Sequence, residues 1–144
     1  MSNSWINYGY GICVSNLKID SVDRIEKLLR LAPNCREKVH AWFKVEGITT
    51  PTVDNYFEYD GMDCNGITNI ICESLYEASG VMFYECDDYN DNDYILYMPS
   101  YPWLLRKSEV NVTEEQLKDI FIKYCSIITD SVIEPEYQEV KNSG

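Results

Sequence analysis

Apolar residues change their spacing three times along this chain, and that change of period limits the fold more than any single residue does. From residue 8 to 16 the period is two: Tyr8, Tyr10, Ile12 and Val14 on one face, Gly9, Gly11, Cys13 and Ser15 on the other. This predicts a strand. Helical spacing follows. Val22, Ile25, Leu28 and Leu29 share one face of a helix that Asp20 or Ser21 can cap, that runs to about Ala32, and that Pro33 stops. Asn34 and Glu37 have capping-box spacing ahead of a second apolar face, Cys35, Val39, Trp42 and Phe43, and Gly47 suits the end of that helix. A third helix fits 67–79, apolar on most sides, with Gly80 as its stop. "VMFYEC" and "YILYM" then return to strand character on either side of an acidic loop at 87–93, which predicts a hairpin. The clearest helix comes last: Thr113 and Gln116 make a capping box before Leu117, Ile120, Phe121, Tyr124, Ile127 and Ile128.

The stretches between are less regular. Residues 48–66 hold Pro51, Gly61 and Gly66 among Tyr56, Phe57 and Tyr59, and read as an irregular loop with a short strand. Two prolines make "PSYPWLL" an aromatic turn segment. Ser131 to Ile133 reads as a short final strand, and a polar tail, "EPEYQEVKNSG", starts at about 134. Strands and helices do not alternate as a parallel sheet requires. The order predicts an α+β fold: a small, mainly antiparallel sheet with about four helices packed largely on one face. Its 144 residues suit a single domain, 1–144, with no internal repeat or linker. A domain of this length buries roughly two-thirds of its unfolded surface and needs no metal or disulfide staple. "MSNSWINYGYG" lacks the basic stretch and apolar run of a signal peptide, and no apolar run reaches the roughly 18 residues of a membrane span. The expectation is a soluble cytoplasmic protein.

Charge is placed unevenly. The net charge is −12, from 24 acids and 12 bases. No base occurs between Lys44 and Arg106, whereas 12 acids do: Glu46, Asp54, Glu58, Asp60, Asp63, Glu73, Glu77, Glu85, Asp87, Asp88, Asp91 and Asp93. The other 12 acids balance the 12 bases, so the middle segment carries the whole net charge. Such a field repels nucleic acid and anionic lipid and attracts basic partners. Eight of the 12 tyrosines lie in the same segment, and tyrosine beside carboxylates can contact arginine and lysine by charge and by cation–π stacking. Tyr84 and Tyr97 read as core. Tyr89, Tyr56 and Tyr59 read as exposed. Glu85, Asp87, Asp88, Tyr89, Asp91 and Asp93, with Glu58, Asp60 and Asp63, are the candidate partner-binding residues.

Motifs of other chemistries fit poorly. A calcium loop starting at Asp88 places Asn90, Asn92 and Ile95 correctly, but Asp93 stands where glycine is needed and Pro99 where a bidentate glutamate is needed. The hairpin tip therefore reads as a solvated turn or a partner-facing patch. The glycines of "YGYGIC" lie inside a strand pattern with no Gly-Lys-Ser/Thr after them, so they read as bare backbone that lets a helix or an aromatic ring approach. Six cysteines include no Cys-x-x-Cys pair, and His40 is the only histidine, so no metal site is expected. Cys35 and His40 stand about 140° apart around a helix and would not meet. His40 reads as a surface or cap-region histidine, and no catalytic residue or cofactor stands out.

Size, acidity, tyrosine content and lack of a catalytic motif resemble small acidic phage proteins of the anti-CRISPR and nucleic-acid-mimic kinds. The resemblance is one of character, covers no aligned motif and transfers no functional residue. "SYPW" and "PEYQEVKNSG" also look like parts of small uncharacterised proteins of bacterial mobile elements, a likeness that implies no activity. The resemblance implies a non-enzymatic inhibitor of a basic nucleic-acid-binding protein, such as a host defence nuclease. The alternatives are a homo-oligomeric interaction module, whose acidity only keeps it soluble, and a metal- or cysteine-dependent enzyme.

Overall fold

A computed structural model of the chain describes residues 4–59, 66–98 and 112–143. Four strands are described among these residues: β1 (Ser4–Cys13), β2 (Tyr84–Asp87), β3 (Asp93–Tyr97) and β4 (Glu136–Ser143). Five helices are described: α1 (Val22–Leu29), α2 (Pro33–Val45), α3 (Val53–Glu58), α4 (Gly66–Ser79) and α5 (Glu114–Ile128). The strands form one antiparallel sheet in the order β2-β3-β1-β4. This is the α+β arrangement that the change of period predicts. Among the described residues, no helix is long and apolar enough to cross a membrane.

The sheet presents Tyr10, Ile12, Ile95 and Tyr97 to the helices, and these join Ile25, Leu28, Ile70, Ile71, Leu75 and Phe121 in one core. Leu96 and Val140 are buried on the opposite face. α4 is the central helix, with Ile67 through Cys72 all buried. Arg24 of α1 ties down the end of α5, donating from Nε to the Ile127 carbonyl at 2.9 Å and from Nη2 to the Ser126 carbonyl at 2.8 Å. A cation there also complements the negative end of the helix dipole.

Several boundaries differ from the sequence expectation, each for a local reason. β1 starts earlier, at Ser4, and gives way at Val14 to a 3-10 turn over Val14–Asn16. Pro33 starts a helix as its first residue, a position where its missing N–H costs nothing. The Asn34–Glu37 capping box does not form. Instead Glu77, reaching from α4, accepts from the backbone N–H of Asn34 at 3.0 Å and of Cys35 at 2.8 Å. The expected loop at 48–66 contains α3, whose start is fixed by Asn55 Oδ1 accepting from the Thr52 N–H at 2.8 Å. Gly47 and Gly80 do end α2 and α4, at φ +73° and +78°.

The largest correction is at the chain's end. Ser131 to Ile133 forms no strand, while the expected polar tail forms β4, paired with β1 from Ser4↔Ser143 to Gly11↔Glu136. β4 lies at the sheet's edge, where polar residues are tolerated and where strand pairing rests on the backbone ladder more than on apolar burial. The glycines of β1 also serve a purpose other than the expected one. A Cβ on Gly11 would collide with the Ile95 carbonyl, and one on Gly9 would lie 2.6 Å from the Tyr97 carbonyl. What approaches the bare backbone is strand β3, not a helix or ring. The outer parts of the sheet come close enough that the Tyr89 N–H, after β2, donates to the Lys141 carbonyl of β4 at 3.2 Å.

Candidate functional site

The acidic hairpin is braced from within by Asp88. Its Oδ1 accepts from the backbone N–H of Asn90 at 2.8 Å and of Asn92 at 2.9 Å, and its Oδ2 accepts from Asn92 Nδ2 at 3.1 Å. Burial alone would push the Asp88 carboxyl up, but these bonds from Asn92 and Asn90 outweigh it and hold the group below its ordinary range. The loop then turns through Asp91 in the left-handed region at φ +63°, which aspartate tolerates. Asp88 thus spends its acceptor capacity on the turn itself. Among the described residues, no three His, Cys, Asp or Glu side chains gather as a metal site.

Two other acids of the hairpin face α4. Thr68 Oγ1 donates to Asp93 Oδ2 at 3.2 Å, and Asn69 Nδ2 donates to Glu85 Oε2 at 2.9 Å. Asp93 is buried and Glu85 half-buried. Both donors lie in the first turn of α4, where the helix dipole favours negative charge. Asp93 and Glu85 therefore lock the hairpin onto the helix. Tyr89 and Asp91 stand exposed at the tip, with Asp87 half-buried beside them. Glu58 is exposed at the end of α3, and Asp60 and Asp63 lie outside the described residues. The end of α3 packs on the start of α4, since a Cβ on Gly66 would lie 2.5 Å from the Tyr59 carbonyl. Glu58 and the hairpin thus approach the same end of α4. Tyr97 is core and Tyr89 exposed, as expected. Against expectation, Tyr56 and Tyr59 are buried and Tyr84 is exposed.

A second polar centre joins three helices. Glu26 of α1 accepts from the Tyr56 hydroxyl of α3 at 2.6 Å, and its two carboxylate oxygens lie 3.0 and 2.9 Å from His40 Nε2 of α2. Arg36 Nε is 3.7 Å away. Burial alone would raise the Glu26 carboxyl, but the bonds from His40 and Tyr56, with the Arg36 charge, win and lower it. Burial and the Glu26 carboxylate push the Tyr56 phenol up. Phe43 packs edge-on to Tyr56, with ring centres 4.9 Å apart. A recess of about 480 Å3 opens beside the group, lined by Val22, Phe43, Ile48, Pro51 and Lys44 with Glu26, His40 and Tyr56.

The sequence gives no sign of this centre, because residues 26, 40 and 56 come from separate helices and share no motif. Its spacing signal is weak by nature: each polar residue sits singly on an amphipathic face. Chemically, the carboxylate fixes His40 with Nε2 as the bonded nitrogen, and a neutral ring then carries its lone pair on Nδ1. Among the described residues, no thiol is hydrogen-bonded to the ring. Burial pushes Cys35, Cys86 and Cys125 up to about 12 each, far from thiolate character. His40 bonds to Glu26 rather than to a thiol.

Compared with known proteins, the chain matches no family model, no curated protein and no solved structure.

Proposed function

We propose that this chain is a non-enzymatic acidic binding protein that engages a basic nucleic-acid-binding partner in the cytoplasm of a host cell and blocks it, as an inhibitor of a defence nuclease would. The observation that carries the reading is the base-free stretch between Lys44 and Arg106, which holds the net charge of −12. Its hairpin tip projects Tyr89 and Asp91, with Asp87 half-buried beside them, from a turn stiffened by Asp88. A stiff turn loses little conformational freedom on binding, so more of the contact free energy appears as affinity. Carboxylates with a tyrosine between them suit arginine and lysine, by charge and by stacking on the ring. Glu85 and Asp93 serve this reading indirectly, by holding the hairpin on α4.

The test is capture of a basic nuclease by the full chain at low and high salt. Asp87→Asn with Asp91→Asn and Tyr89→Ala should weaken capture and flatten its dependence on salt, since fewer charges then contribute. Unchanged capture with an unchanged salt slope would remove the hairpin tip from the interface.

A further inference from the structure

Among the described residues, none covers the helix-facing side of the β1–β4 ribbon beyond the start of α5. There Tyr8 is 62% exposed and Tyr137 56% exposed, although both belong to the sheet. Tyr8 and Tyr137 stack at 5.9 Å with their planes 11° apart, and Tyr137 meets Tyr10 edge-on at 5.2 Å. Together with Tyr97 and Glu114 they line a recess of about 280 Å3 whose floor, at Tyr10 and Tyr97, is buried. Glu114 stands in the first turn of α5 and raises the Tyr10 phenol, after burial, through its charge. Glu139 lies directly opposite Tyr8 in the ladder. No described residue lining the recess is basic. Lys141, two residues further along β4, is taken up by Glu139 at 3.6 Å.

We propose that this recess receives an arginine or lysine side chain from an extended basic segment of a protein partner. The inference rests on the binding reading above and gives that partner a second point of contact, away from the hairpin tip. Three facts favour a cation. Tyrosine ring faces attract guanidinium and ammonium groups, and a desolvated floor strengthens the attraction. The Glu114 carboxylate supplies the counter-charge at the wall. An anionic ligand would meet the Glu114 carboxylate at the wall, and a wholly apolar one would leave Glu114 facing hydrocarbon.

The experiment is a nuclear magnetic resonance titration of the full chain, labelled on its tyrosine rings, with an acetylated and amidated tetra-arginine peptide. The Tyr8 and Tyr137 ring signals should move. Tyr137→Ala and Glu114→Gln should each weaken peptide binding about fivefold, and Tyr137→Phe, which keeps the ring, should stay within about twofold of the parent. Glu114→Gln lies on an exposed helix turn and keeps the test valid if the tyrosine variant folds poorly. Ring signals that stay still, or move equally with a tetra-glutamate peptide, would overturn the proposal. So would ring signals that shift with protein concentration alone, which would make a second copy the occupant. A change in those signals on replacing Arg106 and Lys107 by alanine would likewise overturn it, by making the chain its own occupant. A peptide that perturbs only the hairpin rejects the recess and leaves the binding reading standing. Moving rings in a chain that captures no basic nuclease keep the recess and reject that reading.

Discussion

Glu26 shows how one residue can join three helices. Its carboxylate accepts a hydrogen bond from the hydroxyl of Tyr56, a side chain only 1% exposed, so the phenol is buried with a charged acceptor. A hydrogen bond to a charged group is worth about 1.5–3 kcal/mol, and a buried hydroxyl left without a partner costs a similar amount. The sign with pH follows from the lowered carboxyl. A group whose folded value lies below its ordinary 4.5 stabilises the fold at pH above that value, and the gain is lost as pH falls through the folded value. Glu26→Gln should therefore unfold in urea with stability lower by about 1–2 kcal/mol at neutral pH. The gap between variant and parent should close as pH falls through the lowered folded value. A gap of the same size on either side of that value would mean that the ionised carboxylate is not what matters.

At the scale of elements, α2 is capped by its neighbour rather than by itself. The Asn34–Glu37 spacing is that of a capping box, yet the acceptor for the Asn34 and Cys35 N–H groups is Glu77, 43 and 42 residues away in sequence. Local pattern names the residue type that a helix start needs, but it cannot show when a carboxylate from another helix reaches the position first. The same limit explains the rest of what was and was not legible. Helices with a full apolar stripe, such as α4 and α5, and strand β3 are plain in the sequence because side-chain burial shapes their pattern. β4 is hidden, because only Val140 of its described side chains is buried and its pairing is made by backbone groups. α3 is hidden by its length of six residues, too short for a periodic signal. Of the candidate site, the acids were legible as residues but not by role: Asp93, Glu85 and Asp88 turned out to brace the fold. The caps give a direct comparison. Glu77→Ala should lower stability by about 1 kcal/mol, the usual loss of a cap, whereas Glu37→Ala should leave it nearly unchanged. Thermal melts of both variants make the comparison, and equal losses would show that Glu77 is not the cap.

For the whole molecule, the question is which parts hold the acidic segment in place. The hairpin leans on α4 through Asp93 and Glu85, and on β4 through the Tyr89 N–H and the Lys141 carbonyl. β1 is the strand that joins both halves, since it pairs with β3 over Tyr10–Cys13 and with β4 over Ser4–Gly11. Removing β4 would turn most of β1 into an open edge, uncover the core side chains beneath it, and free one support of the hairpin. An open edge beside exposed Ile6 and Tyr8 is a template for pairing with other chains. A chain ending at Pro135 should therefore lose its cooperative melt and form aggregates visible in light scattering. A dispensable polar tail predicts the opposite, a truncated chain that stays monodisperse and melts with the parent. Ending the chain at Val140 separates ladder from bulk: it keeps the pairing of Glu136 to Val140 with β1 while removing Lys141 and its bond to Tyr89. That shorter cut should preserve the melt yet loosen the hairpin, seen as faster hydrogen exchange at the Tyr89 amide.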